Sequence, residues 1–187
     1  MPSFVSDALS RVLSGESLSR DDALRLWDAP AEELFDAART ITRRMAPRAF
    51  NFCSIVNAKS GRCTEDCRWC AQSRHFRTDA PEYPLIDEKT ALEAARRTEA
   101  AGIPRFSFVT SGRKLSPREV RDLAKLVRAV RRETSVEVCV SAGLLKEEEL
   151  RLLRDAGVVR YHCNLEASPD YFPKVCTSHT TKDKIET

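Results

Sequence analysis

The sequence predicts an α/β fold built on a parallel sheet. From residue 49 onward, strand-like and helix-like segments alternate. Each pair of neighbouring strands is joined by one helix, and a chain that crosses over through single helices must lay its strands parallel.

Residues 1–48 read as a separate helical segment. Ser19 can cap a helix running through Asp22, Leu24 and Leu26 to Trp27. Pro30 then opens a second helix, with Leu34, Phe35, Ala38 and Ile41 near helical spacing, and Pro47 ends it. Residues 49–187 carry the alternating pattern. AFNFCSIVNA (49–58) is an apolar, β-rich run. Residues 87–101 read as a helix capped by Asp87, with Ala91, Leu92 and Ala95 on one side and Gly102 as its stop. RFSFVTSG (105–112) is the second strand.

SPREVRDLAKLVRAVRRE (116–133) has the strongest helix signals. Ser116 is the N-cap, Pro117 follows at the first helical position, and Glu119 completes a capping box. Leu123, Leu126, Val127 and Val130 form its buried stripe. VEVCVSAG (136–143) is the third strand, followed by a helix over 146–156 that stops at Gly157. VVRYHCNLEA (158–167) is the fourth strand, and a further helix begins near Thr181. An open sheet and a closed barrel both satisfy this order. Either one places its ligand site at the C-terminal ends of the strands.

Composition narrows the function. The chain has 187 residues, 42% apolar and 32% charged, with a net charge of +3. Acidic and basic residues are interspersed, so no basic stripe points to nucleic acid. No apolar run approaches the ~20 residues that span a bilayer. The N-terminus lacks the pattern of a secretory signal. The expected compartment is the cytoplasm, which is reducing, so seven cysteines call for an explanation other than disulfides.

Three of the seven fall in SGRCTEDCRWCAQS (60–73), as Cys63-x3-Cys67-x2-Cys70 in the loop after the first strand. Three thiolates at that spacing can hold three corners of a cubane iron–sulfur cluster and leave one iron open to an external ligand. A structural zinc site closed by His75 is a second reading of the same spacing. Chance clustering of buried cysteines is a third.

With Trp69 before the last cysteine, the motif resembles that of the radical S-adenosylmethionine superfamily. CSIVNAKSGRCTEDCRWCAQS, RFSFVTSGR and RYHCNLEASPDYFPKVCTSHTTKDKIET are similar, in order and spacing, to the biotin synthase family within it. The resemblance runs from about residue 20 to the last residue. It implies a (βα)8 TIM-type barrel, of which this chain contains about the first half, incomplete at its C-terminus. It implies a [4Fe–4S] cluster on Cys63, Cys67 and Cys70 and S-adenosylmethionine on the open iron. The implied reaction inserts sulfur into dethiobiotin by way of a 5′-deoxyadenosyl radical. Flavodoxin or ferredoxin as electron donor, and a homodimer of the full-length protein, follow from the same resemblance; a nucleic acid or membrane partner does not.

Other residues are carried over by position. Asn164 and Glu166 match family positions at the adenosine ribose and substrate. On the fourth strand they share a face with His162, and Cys163 turns the other way toward the helices. Ser111 and Gly112 end the second strand, where a Ser-Gly turn lets the backbone approach a ligand.

The family's auxiliary [2Fe–2S] cluster uses three cysteines and an arginine. Cys139 matches one of those cysteines, and Ser107 stands where another would be. Cys53, expected deep in the barrel, is a candidate to join Cys139 in a rearranged auxiliary cluster. Cys176 follows Pro173 in a loop near the mouth. His179 stands in place of a family arginine that would meet a carboxylate. Another radical S-adenosylmethionine enzyme, a non-catalytic metal-binding module and an inactive cluster-binding fragment are the alternatives.

Overall fold

The computed structural model describes residues 3–47 and 50–187. The chain divides into two compact units, Met1–Phe50 and Asn51–Thr187. The boundary expected between residues 48 and 49 falls on Arg48 and Ala49, outside the described residues.

The first unit holds three helices: α1 (Phe4–Leu13), α2 (Arg20–Trp27) and α3 (Ala31–Met45). α2 starts on the expected Ser19 cap, which Asp22 completes as a capping box, and α3 follows Pro30. Arg11 of α1 reaches Asp22 of α2 at 3.0 Å, and Arg25 lies 3.6 Å over the Phe4 ring. Val5 and Ala8 of α1 are buried, while Phe35 and Trp27 remain exposed. Of the stripe expected on α3, Leu34 and Ile41 are half-buried, while Phe35 and Ala38 are exposed.

The second unit is a four-stranded parallel sheet in the order β1-β2-β3-β4. The strands are β1 (Cys53–Lys59), β2 (Arg105–Thr110), β3 (Glu137–Ser141) and β4 (Val158–Tyr161). The crossovers are α4 (Glu88–Ala100), α5 (Pro117–Glu133) and α6 (Glu147–Asp155), and α7 (Thr181–Glu186) follows β4. Asp87 and Ser116 cap α4 and α5 as expected.

Register shows how the sheet divides its side chains. Phe106 pairs with Val138, and Phe108 with Val140. These four side chains join Leu123, Val127 and Val130 of α5 and Ala91 and Ala95 of α4 in the core. The alternate row, Ile55, Ser107 and Cys139, points to the opposite face. The core therefore lies between sheet and helices, and the other face is the interior of the first half of a (βα)8 barrel.

The fourth strand is shorter than expected. β4 ends at Tyr161, so His162, Asn164 and Glu166 are not on a strand, and Glu166 adopts φ +67°. His162 N–H makes the last bond to β3, to the Val140 carbonyl at 2.8 Å, β3 ends at Ser141, and among the described residues no fifth strand flanks β4. Tyr161 closes this end instead by donating its hydroxyl to the Gly143 carbonyl at 2.6 Å.

Gly143 is required where it stands. Its φ is +77°, and a Cβ built there would lie 2.1 Å from the Arg113 carbonyl oxygen. That carbonyl accepts the Leu144 N–H at 2.8 Å, which ties the loops after β2 and β3 together. Gly143→Ala is expected to cost about 1–3 kcal/mol, because the loop must move or strain. Denaturant unfolding measures it, and a loss within error would show that the loop relaxes freely.

Candidate active site

The loop after β1 carries the cysteine trio, and its backbone is pinned before any ligand arrives. Cys63 N–H donates to the Gln72 carbonyl at 3.0 Å, and Arg74 N–H returns to the Cys63 carbonyl at 2.9 Å. Cys70 N–H donates to the Cys67 carbonyl, and Ser73 N–H to the Cys70 carbonyl. The Ser73 hydroxyl donates to the Glu65 carbonyl at 2.6 Å, and Gly61 N–H to Gln72 Oε1 at 3.0 Å. The short spacing and these turns hold all three thiols toward one side.

That side is a cavity of about 480 Å³ at the C-terminal ends of the strands. Cys63, Cys67, Cys70, Ser111, Gly112, Asn164 and Glu166 all line it. Ser111 donates to the Gly61 carbonyl at 2.8 Å, and Gly112 takes φ +109°. His162 and Cys163 line the same cavity, so Cys163 does not turn away toward the helices. Without a strand there, the alternation expected of residues 162–166 does not apply. Burial pushes the Cys63 thiol up. Burial, then the contact with Cys176, raises that of Cys67 well above the ordinary range. Each of these two thiols also feels the charge of Cys70.

Several residues enter that the sequence did not single out. Thr110 ends β2 on the cavity wall, and its buried hydroxyl has no hydrogen-bond partner among the described residues. Glu65 is buried; its Oε2 accepts from Ser178 Oγ at 2.8 Å and lies 2.6 Å from His179 Nδ1. His179 is therefore an inward residue rather than a surface one. It does face a carboxylate, but that of Glu65. Cys176, whose loop was expected only to approach the mouth, lies 3.5 Å from the Cys67 sulfur. His75, which the alternative zinc reading would place on the trio, is exposed and paired with the Thr64 carbonyl at 3.0 Å. The only hint in the sequence was the Glu-Asp pair inside CTEDC, which resembles an ordinary solvated acidic turn.

Asp66 holds the partner loop. Its carboxylate accepts from the Thr177 hydroxyl and from the Thr177 and Ser178 N–H groups at 2.9 and 3.1 Å. These bonds, the Thr177 hydroxyl first, keep its carboxyl well below the usual range. A carboxyl depressed in the folded state stabilises above its unfolded value, and that contribution is lost as pH falls through the folded value. Asp66→Ala is therefore expected to speed amide exchange at Thr177 and Ser178 by about tenfold or more near neutral pH. The same release should occur in the native chain only in strong acid. Unchanged exchange in the variant would mean that the loop is held by other bonds.

On the auxiliary positions, Cys139 and Ser107 are buried neighbours in register, as expected of one interior row. Cys53 is exposed, not deep in the structure. It opens β1 opposite Arg105, and no strand among the described residues covers it from the far side.

The model of the radical SAM superfamily matches residues 58–187, which include the trio and the whole cavity wall. The chain belongs to the radical SAM superfamily. It is 49% identical over 184 residues to "Biotin synthase 2" of Corynebacterium diphtheriae, covering 98% of this chain and 56% of that protein. It is 41% identical to the biotin synthase of Parabacteroides distasonis, with the same coverage. The chain thus spans about half the length of the curated relatives it matches. Among solved structures, the FeFe-hydrogenase maturase HydG from Carboxydothermus hydrogenoformans superposes with a TM-score of 0.75 at 16% identity. That match covers 97% of this chain and 45% of HydG, and at this identity it speaks to the fold alone.

A radical SAM domain takes a [4Fe–4S] cluster and S-adenosylmethionine, and the donor chemistry here fits both. Three thiols share one wall of the cavity. Polar groups, the partnerless Thr110 hydroxyl among them, line the rest. Among the described residues, no helix is long and apolar enough to cross a membrane.

Proposed function

We propose that this chain is the cofactor-binding half of a biotin synthase, which inserts sulfur into dethiobiotin using S-adenosylmethionine. Residues 49–187 would form the incomplete barrel domain, and residues 1–48 a helical segment preceding it. The observation that carries this reading is the single cavity lined at once by Cys63, Cys67 and Cys70 and by Ser111, Gly112, Asn164 and Glu166. The similarity to curated biotin synthases over nearly the whole chain supports the substrate class.

Cys63, Cys67 and Cys70 would hold the cluster, whose chemistry when bound is one-electron cleavage of the sulfonium. Asn164 and Glu166 would hold the cofactor's ribose. Ser111 and Gly112 would let the backbone close on it, and Thr110 would donate its free hydroxyl. Glu166 is held at positive φ, a conformation costly for a side chain with a Cβ and often retained where a ligand is gripped. Trp69 lines the cavity and packs edge-on against Phe172, with ring centroids 6.0 Å apart.

Cys139, with Cys53 and Ser107, would border an auxiliary [2Fe–2S] or rearranged cluster. Burial, then the neighbouring Cys53, pushes the Cys139 thiol up, while Arg160 and Arg105 act against the rise. Under this reading, Cys53→Ala lowers the iron content of the reconstituted protein, and an unchanged count removes Cys53 from that role. Flavodoxin or ferredoxin would supply electrons to the cytoplasmic, full-length enzyme, which would form a homodimer.

The test is anaerobic reconstitution with iron and sulfide, read by electron paramagnetic resonance. Addition of S-adenosylmethionine is expected to shift the reduced-cluster spectrum, and 5′-deoxyadenosine formation by the full-length enzyme is expected to depend on dethiobiotin. Zinc retention without iron uptake would overturn the cluster. A cofactor shift without dethiobiotin dependence would overturn the substrate.

A further inference from the structure

We infer that Cys176 tunes the cluster without holding it: its S–H donates to the Cys67 sulfur and raises the reduction potential of a cluster on Cys63, Cys67 and Cys70. The inference rests on the cluster reading proposed above and adds to it a residue that lies outside the cysteine motif. Cys67 and Cys176 are 109 residues apart in sequence, yet their sulfurs are 3.5 Å apart.

The direction of the bond follows from the acceptors around Cys176. A cysteine that ligates iron is a thiolate and has no proton to give, so in the loaded protein the bond to Cys67 must be donated by Cys176. Three other atoms lie near the Cys176 sulfur: Asp66 Oδ1 at 3.3 Å, His179 Nδ1 at 3.3 Å and Ser178 Oγ at 3.6 Å. Asp66 Oδ1 already accepts the Thr177 and Ser178 N–H groups at 2.9 and 3.1 Å, which uses its two lone pairs. His179 Nδ1 lies 2.6 Å from Glu65 Oε2, and an ionised carboxylate only accepts, so this nitrogen carries a proton and is a donor. Ser178 Oγ gives its proton to Glu65 and accepts the Asp66 N–H at 3.2 Å. Its 3.6 Å contact is long for an oxygen, whereas 3.5 Å between two larger sulfur atoms is close. The Cys67 sulfur is the acceptor left to the Cys176 proton.

The donor is held in place by the fold. Cys176 is 2% exposed, so water does not compete for its proton. Its N–H donates to the Phe172 carbonyl at 3.0 Å, and the Val175 carbonyl accepts the Arg68 N–H at 2.9 Å. Asp66 ties residues 177 and 178 to the segment that carries Cys67. The two loops are thus joined on both sides of the sulfur pair.

Reduction adds negative charge to an iron–sulfur cluster. A donor aimed at one of its cysteine sulfurs stabilises the reduced state more than the oxidised one, and hydrogen bonds to the sulfurs are among the factors that set the potential. Cys176 acts through Cys67 and is a positioning residue, not a ligand.

The test is an anaerobic redox titration of the reconstituted chain, read by electron paramagnetic resonance. Iron content and far-ultraviolet circular dichroism are measured on every variant. Cys176→Ala removes the donor and is expected to shift the equilibrium about tenfold toward the oxidised cluster, which for one electron lowers the midpoint by about 59 mV. Cys176→Val also lacks a donor, fills the space better and should shift it the same way. Cys176→Ser keeps a donor and should recover most of the shift. Iron content should stay unchanged in all three. Electron–nuclear double resonance of the reduced cluster, compared in water and heavy water, should show one exchangeable proton fewer in the alanine and valine variants. If Cys176→Ala loses helicity, Cys176→Val decides the matter. An unchanged or higher midpoint in both variants would overturn the inference and leave the cluster reading standing. Loss of iron with an unchanged dichroism spectrum would make Cys176 a ligand and overturn it too. An unaltered chain that assembles no cluster would overturn both.

Discussion

Cys70→Ala is expected to abolish assembly of a [4Fe–4S] cluster while leaving the fold intact. The bonds that shape this part of the loop run through the backbone: Cys70 N–H to the Cys67 carbonyl, and Ser73 N–H to the Cys70 carbonyl. Alanine keeps both. What it removes is one of three thiolates, and His75, the histidine nearest along the chain, is exposed and paired with the Thr64 carbonyl. A cubane held by two protein ligands and exposed at two irons is lost to solvent thiol and oxygen. Iron and sulfide content after reconstitution should fall by more than about tenfold, with the circular dichroism spectrum unchanged. Normal iron content in the variant would place the cluster elsewhere and remove the basis of the proposed chemistry.

Phe108→Ala is expected to be the most damaging change away from the site. Phe108 is fully buried on the helix-facing side of β2. It packs edge-to-face on Phe106, with centroids 5.0 Å apart, inside the cluster that includes Leu123 and Val127. Removing a buried phenyl ring from such a core costs about 3–5 kcal/mol in lost transfer energy and cavity. Domains of this size have only about 5–15 kcal/mol to lose. Thermal unfolding should move down by about 10 °C or more. Ile55, on the opposite face and 67% exposed, is the control: Ile55→Ala should cost under about 1 kcal/mol. Equal losses at the two positions would mean that the sheet buries both faces equally.

The helices after α1 were legible because their signals are local, whereas α1 itself was not singled out. The capping boxes of Ser19 and Ser116 lie within four residues of sequence, and the stripe from Leu123 to Val130 follows the helical period. The strands were legible as apolar runs, but their ends were not. The run 158–167 has the composition of a strand throughout, yet register pairing stops at Tyr161, opposite Val140, and β3 ends one residue later at Ser141. Cys53 looked internal for the same reason: strand membership is a property of the run, and coverage depends on the neighbours.

By itself, the sequence determined the α/β class, the order of elements and the presence of three thiols in one loop after β1, since each depends on residues close together along the chain. Only the tertiary structure decided that Cys176 and His179 stand against Cys67 and Glu65, more than a hundred residues earlier. It also decided that the wall carrying Ser111, Asn164 and Glu166 faces the trio. Hydrogen bonds and periodicity within a window can be read from composition. Meetings between distant side chains follow from sheet register and loop packing, which no window contains.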